Sequence, residues 1–348
     1  MKNKTLKSNL ITYGMVIVVF VIVQALLNAD MLSSLIEGLL IPLCVYVILA
    51  ISLNLVVGIS GELSLGHAGF MCVGAFASAF FSKCTMDSIS SVPVRFTLAI
   101  LVGAIVAAVF GILIGIPVLR LRGDYLAIVT LAFGEIIKNV INIFYVGMDS
   151  KGFHVSLKDQ FSLGMEPDGK MIISGPQGIS GTPKNSTFLI GVILILITLF
   201  IVLNLIHSRE GRAIMAIRDN RIAAESIGIN ITKYKLMAFT ISAALAGMGG
   251  ALYSHNLATL QASKFNFNTS ILVLVFVVLG GIGNIRGSII AAVILTLLPE
   301  LLRGLSDYRM LFYAIILILM MLFNWAPKAI EWRERVLQAV FKKRKKEA

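Results

Sequence analysis

Residues 208–235 of the chain read SREGRAIMAIRDNRIAAESIGINITKYK, a polar and mostly basic stretch between two long apolar blocks. A single Arg or Lys at the centre of a bilayer costs roughly 2.5 to 3.5 kcal/mol, so a stretch this charged cannot lie in hydrocarbon. We therefore predict that residues 208–235 project into water, and their Arg and Lys content favours the cytoplasm. The apolar blocks on either side are predicted to be membrane-spanning helices.

The composition of the whole chain is that of a protein with many membrane spans. Of its 348 residues, 57% are hydrophobic and only 14% are charged. The net charge of +12 does not indicate nucleic-acid binding, because no water-soluble domain is present to carry a basic surface. Cys44, Cys72 and Cys84 have neither the spacing of metal ligands nor that of a disulfide framework, and we interpret them as small apolar side chains.

A membrane-spanning helix needs about 20 apolar residues, and runs of about that length predict ten helices. The start of the chain is interpreted as a retained first helix rather than a signal peptide, because its apolar run is long and no cleavage pattern follows. Residues 1–348 are therefore predicted to form a single all-α transmembrane domain. The predicted helices lie near residues 10–28, 38–58, 63–82, 96–118, 125–148, 187–206 and 235–255, two fall within 269–302, and the last lies near 309–326.

Ten spans place both termini on the same side of the membrane. That side also collects Arg120, Arg122, Arg286, the basic residues of 208–235 and a tail, 327–348, that ends in KKRKKEA, so it is predicted to be cytoplasmic. Residues 149–186, rich in Gly, Pro, Ser and Lys, are predicted to form the extracytoplasmic loop. Residues 269–302 could form two spans or one span with a re-entrant segment, because the sequence GGIGNIRG interrupts them.

Polar residues inside the predicted spans are candidates for a translocation path. Glu135 and Lys138 are three residues apart, so they share a helix face and can neutralise each other, and Asn139 follows them. Ionisable groups in a span usually face a bundle interior or a polar pathway. The pair either lines or gates a substrate path or is a structural pair near the helix end.

Two glycine-containing segments add further candidates for the same path. His67 lies among small residues, where helix backbones approach closely or a helix breaks, and it is either structural or part of the path. Gly281, Gly283 and Asn284 have the same two interpretations, close packing or a broken helix beside a pathway.

Nothing in the sequence indicates catalysis, a cofactor or a metal site. Residues 164–170, GMEPDGK, match the first part of a phosphate-binding loop, but Met171 stands where a Ser or Thr would hold magnesium. We find no Ser-His-Asp, HExxH or paired-carboxylate pattern. The chain is therefore predicted not to be an enzyme, and transport driven by ATP would need a separate ATPase subunit.

The polar stretch itself is predicted to contain a short helix. Asp219 or Asn220 can cap it, and Gly228 can end it in a left-handed conformation. Its small-to-apolar face would either dock onto a partner or lie on the membrane surface. That face consists of Ile222, Ala223, Ser226 and Ile227, while Arg209, Arg212, Arg218 and Arg221 are interpreted as orientation charges or lipid contacts.

Several colinear motifs together resemble a known family. They are LNLVVGISGELSLGHAGF (53–70), RLRGDYLAIVTLAFGEIIK (120–138), GPQGIS (175–180), GRAIMAIRDNRIAAESIGINITKYKLMAF (211–239) and LGGIGNIRGS (279–288). With these motifs the chain resembles the larger of the two paralogous permease subunits in bacterial ABC importers for branched-chain amino acids. The resemblance covers nearly the whole sequence.

The resemblance implies a multi-subunit importer in the bacterial cell membrane that moves Leu, Ile or Val inward by alternating access. Its partners would be a second permease, two cytoplasmic ATPases that bind ATP and magnesium, an extracytoplasmic binding protein and membrane lipids. A urea or short-amide permease of the same family stays open, and so does an ion-coupled secondary transporter that uses Glu135 and Lys138.

ABC importers also share a coupling helix with the pattern glutamate, two alanines, three residues and glycine, which docks into the ATPase. Ala223, Ala224 and Gly228 fit this pattern, whereas Ile222 replaces the glutamate. The resemblance thus assigns the coupling helix to Asn220, Arg221, Ile222, Ala223, Ala224, Glu225, Ser226, Ile227 and Gly228.

Overall fold

The computed structural model describes residues 2–303 except 32, 87, 122, 150, 151 and 166–168, together with isolated positions between 308 and 322. Most of the last predicted helix, 309–326, and the whole basic tail lie outside the described residues. Eleven α-helices follow one another in the described part: α1 Lys2–Asn28, α2 Ser34–Asn54, α3 His67–Cys84, α4 Val92–Val118, α5 Asp124–Asn142, α6 Phe188–His207, α7 Arg209–Asp219, α8 Arg221–Ser226, α9 Ile231–Ser254, α10 Phe267–Gly280 and α11 Ile285–Leu301.

Six helical segments within the described residues are long and apolar enough to cross a membrane: Asn9–Asn28, Ser34–Ile59, Val92–Val118, Phe188–His207, Ile231–Ser254 and Ala262–Gly280. The second of these includes a π-helical turn, Leu55–Ile59, that continues α2. The structure therefore agrees with a helical membrane protein. The number of ten spans and the cytoplasmic termini stay predictions.

The expectation of an all-α chain is wrong for the long polar segment. Strands β1 Tyr145–Asp149, β2 Gly152–Ser156 and β3 Lys170–Ser174 form an antiparallel sheet in the order β2-β1-β3. Two shorter strands, β4 Ile179–Ser180 and β5 Thr259–Leu260, pair with each other. Pairing between these segments satisfies backbone N–H and C=O groups that would otherwise bond to water. The prediction missed the strands because it relied on the length of apolar runs, which does not reveal strand pairing.

The boundaries of two predicted helices also need correction. The fifth helix, expected over 125–148, ends at Asn142, because the chain turns at Ile143 and then enters β1. The third helix, expected from residue 63, begins only at His67, and the residues before it are not helical. Residues 269–302 form two helices, α10 and α11, which pack against each other across the turn 281–284.

The positions at which five helices begin follow from the capping chemistry of single residues. Each capping side chain accepts a hydrogen bond from the N–H three residues later, which satisfies one of the unpaired donors of the first turn. The caps are Thr187 for α6, Ser208 for α7, Asn220 for α8, Asn230 for α9 and Asn266 for α10.

Helix α9 lies at the centre of the bundle and contacts α2, α3 and α4. Small residues allow this contact, because a Cβ atom added at Gly74 would lie 2.3 Å from the Cα atom of Gly247. A Cβ atom at Gly247 would in turn lie 2.7 Å from the carbonyl oxygen of Gly103. The helix backbones therefore touch, as they do in membrane bundles where small residues replace large apolar ones at the interface.

The strands and the polar segment α7–α8 lie at opposite ends of α6. The N–H of Ser186 donates to the carbonyl of His255, 3.4 Å away, so the start of α6 is next to the end of α9 and close to β4 and β5. Helix α6 leads at its other end directly into α7. Its 20 residues span about 30 Å, which is the thickness of a bilayer core.

Candidate functional site

The charged residues of α5 contact the start of α10. Lys138 and Glu135 form an ion pair, as their spacing predicts. The second carboxylate oxygen of Glu135 accepts a hydrogen bond from the N–H of Phe267, 3.1 Å away, in the first turn of α10. A carboxylate at this position satisfies an unpaired N–H and interacts favourably with the positive end of the helix dipole. Glu135 therefore joins α5 to α10.

The beginning of α3 lies at the same place. The N–H of Ala68 donates to the hydroxyl of Ser270 on α10 at 3.1 Å, and the N–H of Leu65 donates to the hydroxyl of Thr130 on α5 at 3.0 Å. His67 is buried, with its Nε2 atom 2.8 Å from the hydroxyl of Ser52 on α2. The N-termini of α3 and α10 and the Glu135–Lys138 pair of α5 thus lie close together.

The space between these elements is small in this conformation. A cavity of about 10 Å³ lies beside Glu135 and is bordered by Gly69, Gly134, Phe267 and Ser270. A volume of about 10 to 15 Å³ holds one water molecule, so an amino acid does not fit. Passage of a substrate here would require α3, α5 and α10 to separate.

Asn139 is not part of this group. Its side chain is exposed, and its helix neighbours Ile136 and Val140 are exposed apolar residues. This face of α5 is therefore the outer surface of the subunit.

Gly281, Gly283 and Asn284 lie at the opposite end of α10, in the turn before α11. Gly283 has a φ of +82°, a conformation that glycine adopts without steric cost. Its N–H donates to the side-chain oxygen of Asn54 at 2.9 Å, and the Asn54 amide donates to the hydroxyl of Ser288 at 2.8 Å. The 14 residues of α10 place this turn about 21 Å from Glu135, so the candidate residues fall into two separate groups.

The polar segment is attached to this second group through Arg218 of α7. One guanidinium nitrogen of Arg218 donates to the carbonyl of Gly58 at 2.8 Å, within the π-helical turn, while the same side chain pairs with Asp219. Nearby, Lys235 of α9 forms an ion pair with Glu62, and both side chains are about nine-tenths buried. Arg218 is thus a structural contact as well as a surface charge.

Helix α8 occupies the place predicted for the short helix. The Asn220 side chain accepts from the N–H of Ala223 at 3.0 Å, and Gly228, with a φ of +83°, follows the helix end. Ile222 and Ile227 are 81% and 76% exposed, whereas Ala224 is only 2% exposed and packs against Ile217 and Ile231. The helix is therefore anchored through Ala224, while one isoleucine within it and one directly after it are exposed.

Several residues of this arrangement were not predicted as site residues. Asn54 is a polar residue inside an apolar span, and its type alone was a signal. Ser52, Thr130 and Ser270 gave no such signal, because small hydroxyl residues are common in membrane helices. The pairing of Glu62 with Lys235 joins residues that are distant in the sequence, and no local pattern reveals it.

Known proteins are similar to the chain over most of its length. Residues 35–323 match the family model described as branched-chain amino acid transport system, permease component. The high-affinity branched-chain amino acid transport system permease protein LivM of Salmonella typhimurium is 36% identical over 295 residues, which are 82% of this chain and 67% of that protein.

Two other permease proteins are similar to the chain at lower sequence identity. The permease protein LivH of Escherichia coli K12 is 25% identical over 255 residues, 72% of this chain and 79% of LivH. The nucleoside ABC transporter permease protein NupC of Lactococcus lactis is 26% identical over 210 residues, 60% of this chain and 62% of NupC. No solved structure matches the chain.

Proposed function

The chain belongs to the permease-component family of branched-chain amino acid transport systems, and from this membership we propose that it is the membrane-spanning subunit of an ABC importer. Its substrates are the branched-chain amino acids Leu, Ile and Val, which it passes inward by alternating access. It works in the bacterial cell membrane with a second, paralogous permease, two cytoplasmic ATPases and an extracytoplasmic binding protein. ATP and magnesium bind to the ATPases.

The coupling part of this proposal rests on one observation, the exposure of two isoleucines at α8. Ile222 in α8 and Ile227 directly after it are 81% and 76% exposed, while Ala224 is buried against Ile217 and Ile231. Exposed apolar residues on an otherwise polar segment are typical of a surface that a partner covers. An ATPase that binds this face would move α8 and α7 together, because Asn220 ends one helix and caps the next.

The movement has a direct route into the helices that span the membrane. Arg218 links α7 to Gly58 and hence to the turn 281–284, which begins α11 and ends α10. The other end of α10 is bound to Glu135 of α5. A displacement of α7 therefore shifts α10 relative to α5, and such a shift opens or closes the space beside Glu135. This is a helix movement of the kind that alternating access requires.

The test replaces the exposed isoleucines by charged residues. We expect Ile222→Asp combined with Ile227→Asp to leave the chain folded, because neither side chain is packed, and to abolish copurification of the ATPases and Leu uptake. Leu157→Asp is the matched control, since Leu157 is 58% exposed but lies on the opposite end, after β2. It should leave ATPase copurification unchanged.

The two alanines of the coupling-helix pattern differ in burial. Ala223 is exposed and Ala224 is buried, so a bulky residue at 223 tests docking whereas one at 224 tests packing of the segment. If ATPase binding and uptake persist in the double Asp variant, α8 does not couple the subunits.

The ion-coupled alternative rests on the Glu135–Lys138 pair. It predicts that uptake survives deletion of the ATPases and collapses when the ion gradient is dissipated, and the importer predicts the opposite. Urea and short-amide permeases share the same family features, so the permease sequence does not distinguish these substrates from branched-chain amino acids. The ligand of the binding protein would identify the substrate.

A further inference from the structure

The sheet formed by β1, β2 and β3 has one apolar face and one polar face. Residues that pair in register lie on the same side of a sheet, and successive residues of a strand alternate between its sides. On the polar face, the Nε2 atom of His154 lies 3.0 Å from a carboxylate oxygen of Asp149. The opposite side, here called the apolar face, carries Val146, Met148, Phe153, Val155 and Ile173. The function proposed above does not use this sheet.

One part of the apolar face packs against the helix bundle. Val146 of β1 and Ile173 of β3 are only 4% and 8% exposed, and both belong to the same hydrophobic core as residues of α3. The ring of Phe153 lies 6.0 Å from the ring of Phe80 in α3, measured between the ring centroids. The apolar face is therefore turned towards the helices and not away from them.

The other part of the apolar face is uncovered, and it follows the edge strand β2. Phe153 and Val155 are each 58% exposed, as is Leu157 directly after the strand, and Met148 is 41% exposed. Lys170 pairs with Met148 at the margin of this face, where a lysine stem can cover apolar surface while its charge stays in water. Adjacent exposed apolar residues are typical of a surface that contacts a membrane or a partner.

The contact with α3 places β2 at the depth of the membrane boundary. Lys83 lies in the last turn of α3, and a charged residue at the end of an apolar helix marks the level of the headgroups. Phe80 is three residues earlier, about 4.5 Å further into the bundle. Phe153 contacts Phe80 and therefore reaches the hydrocarbon side of this level. Ile143, which is 51% exposed at the end of α5, continues the outer apolar surface of that helix towards β1.

We infer that the exposed part of the apolar face lies on the lipid surface of the membrane, at the end of the bundle opposite α7, and anchors the sheet there. The polar face with His154 and Asp149 is then directed to water. A soluble partner approaches from the water and meets the polar face, so the direction of the apolar face favours lipid over such a partner. Amphipathic segments that lie in the interface bury their apolar side by about 5 to 10 Å.

The test uses the full-length chain with its copurifying subunits, reconstituted into vesicles of phosphatidylethanolamine and phosphatidylglycerol. Nitroxide spin labels are attached to single cysteines. Val155→Cys and Leu157→Cys probe the exposed apolar residues, and Ser156→Cys, between them on the polar face, is the matched control. Relaxation of each label by oxygen, which concentrates in hydrocarbon, and by a water-soluble nickel chelate measures its depth.

The native cysteines do not interfere with this labelling. Cys44 and Cys72 are 0% exposed and do not react with the label, and Cys84→Ser removes the partly exposed third cysteine from all variants. Val155 and Leu157 are largely exposed, so their replacement leaves the sheet folded. If one of the two variants does not fold, the other still reports on the apolar face.

We expect the labels at 155 and 157 to lie about 5 to 10 Å below the phosphates, reached by oxygen and shielded from the nickel chelate, while the label at 156 is reached by the chelate. Equal access of the chelate to 155 and 156 would place the apolar face in water and overturn the proposal. Shielding of 155 from both reagents would show that a protein subunit covers the face, which would also overturn it. The depth measurement requires neither substrate nor ATP, so its outcome is separate from the test of α8.

Discussion

Asn54 joins α2 to two other parts of the bundle. It is fully buried at the end of α2, where its side chain binds Gly283 in the turn before α11 and Ser288 within α11. A Cβ atom added at Gly58 would lie 1.9 Å from the side-chain oxygen of Asn54, so the amide of Asn54 is packed directly against the backbone at Gly58. Polar groups inside a bilayer have no water to replace a lost partner.

The first prediction concerns the removal of this amide. Asn54→Val should lower the free energy of unfolding by about 1 to 3 kcal/mol, because it leaves the N–H of Gly283 without an acceptor. Asn204→Val is the control, since it makes the same chemical change at an exposed position of α6. Unfolding in mixed micelles, followed by circular dichroism, measures both. Equal stability of the two variants would show that the amide is dispensable.

At the scale of elements, α10 and α11 form a hairpin whose helices touch through glycines. A Cβ atom added at Gly287 would lie 1.7 Å from the carbonyl oxygen of Gly280, and one at Gly280 would lie 2.4 Å from the carbonyl carbon of Gly287. The atoms in the way belong to the backbone, so relief requires the two helices to move apart. The glycines therefore set the distance between α10 and α11.

The second prediction follows from this contact. Gly287→Ala should destabilise the protein by about 1 to 3 kcal/mol or more, as overpacking does, and should lower Leu uptake because it displaces the turn that holds Asn284. Gly38→Ala in α2 is the matched control. No atom lies within 4 Å of its added Cβ, and Ala is favoured over Gly in a helix by about 1 kcal/mol. A thermal shift of the same sign in both variants would contradict the prediction.

The elements that sequence patterns predicted are those whose causes are local. Long apolar runs located the spans that contain α4 and α6 to within a few residues, and Asn220, one of the two caps predicted for the short helix, precedes the first residue of α8. The apolar pattern does not reveal the strands β1 and β3, because they pair across residues 145–174 and because the pattern predicts a helix up to residue 148. The non-helical residues before His67 were missed for a similar reason, since the N–H of Leu65 finds its acceptor in the hydroxyl of Thr130 on a distant helix.

The same distinction applies to the candidate site. The spacing of Glu135 and Lys138 predicted their ion pair, because residues three apart on a helix are neighbours. It could not predict that Glu135 also binds Phe267, 132 residues further along the chain. Nor could residue type show that Arg218, interpreted as an orientation charge, contacts the backbone at Gly58.

At the scale of the whole molecule, α10 connects the proposed docking surface to the proposed path. One end meets Gly58 and Arg218 through the turn 281–284, and the other end receives the carboxylate of Glu135. A helix with a contact at each end can carry a displacement from one contact to the other, and this is the role proposed for α10. The distance between its ends is about 21 Å, which is most of the bilayer core.

The last prediction tests this connection by separating ATPase binding from transport. Arg218→Ala removes the link between α7 and Gly58 and leaves the exposed face of α8 in place. We expect ATPases to bind normally while the amount of Leu imported per ATP hydrolysed falls by about five- to 150-fold, the range of coupling free energies of 1 to 3 kcal/mol.

Glu135→Gln, at the far end of α10, should lower the same ratio because it weakens the contact with Phe267. Arg212→Ala is the control, since this exposed arginine of α7 contacts only the nearby carbonyl of His207 among the hydrogen bonds that the structure describes for it. The measurement is reconstituted uptake and ATP hydrolysis in the same vesicles.

A normal ratio of Leu imported to ATP hydrolysed in Arg218→Ala would mean that the movement of α7 reaches the path by another route. Loss of ATPase binding in that variant would instead make Arg218 part of the docking surface. The proposed role of α10 requires that both variants bind the ATPases normally and import less Leu per ATP hydrolysed. In that case the variants leave the nucleotide sites and the docking face intact and alter only the contacts at the two ends of α10.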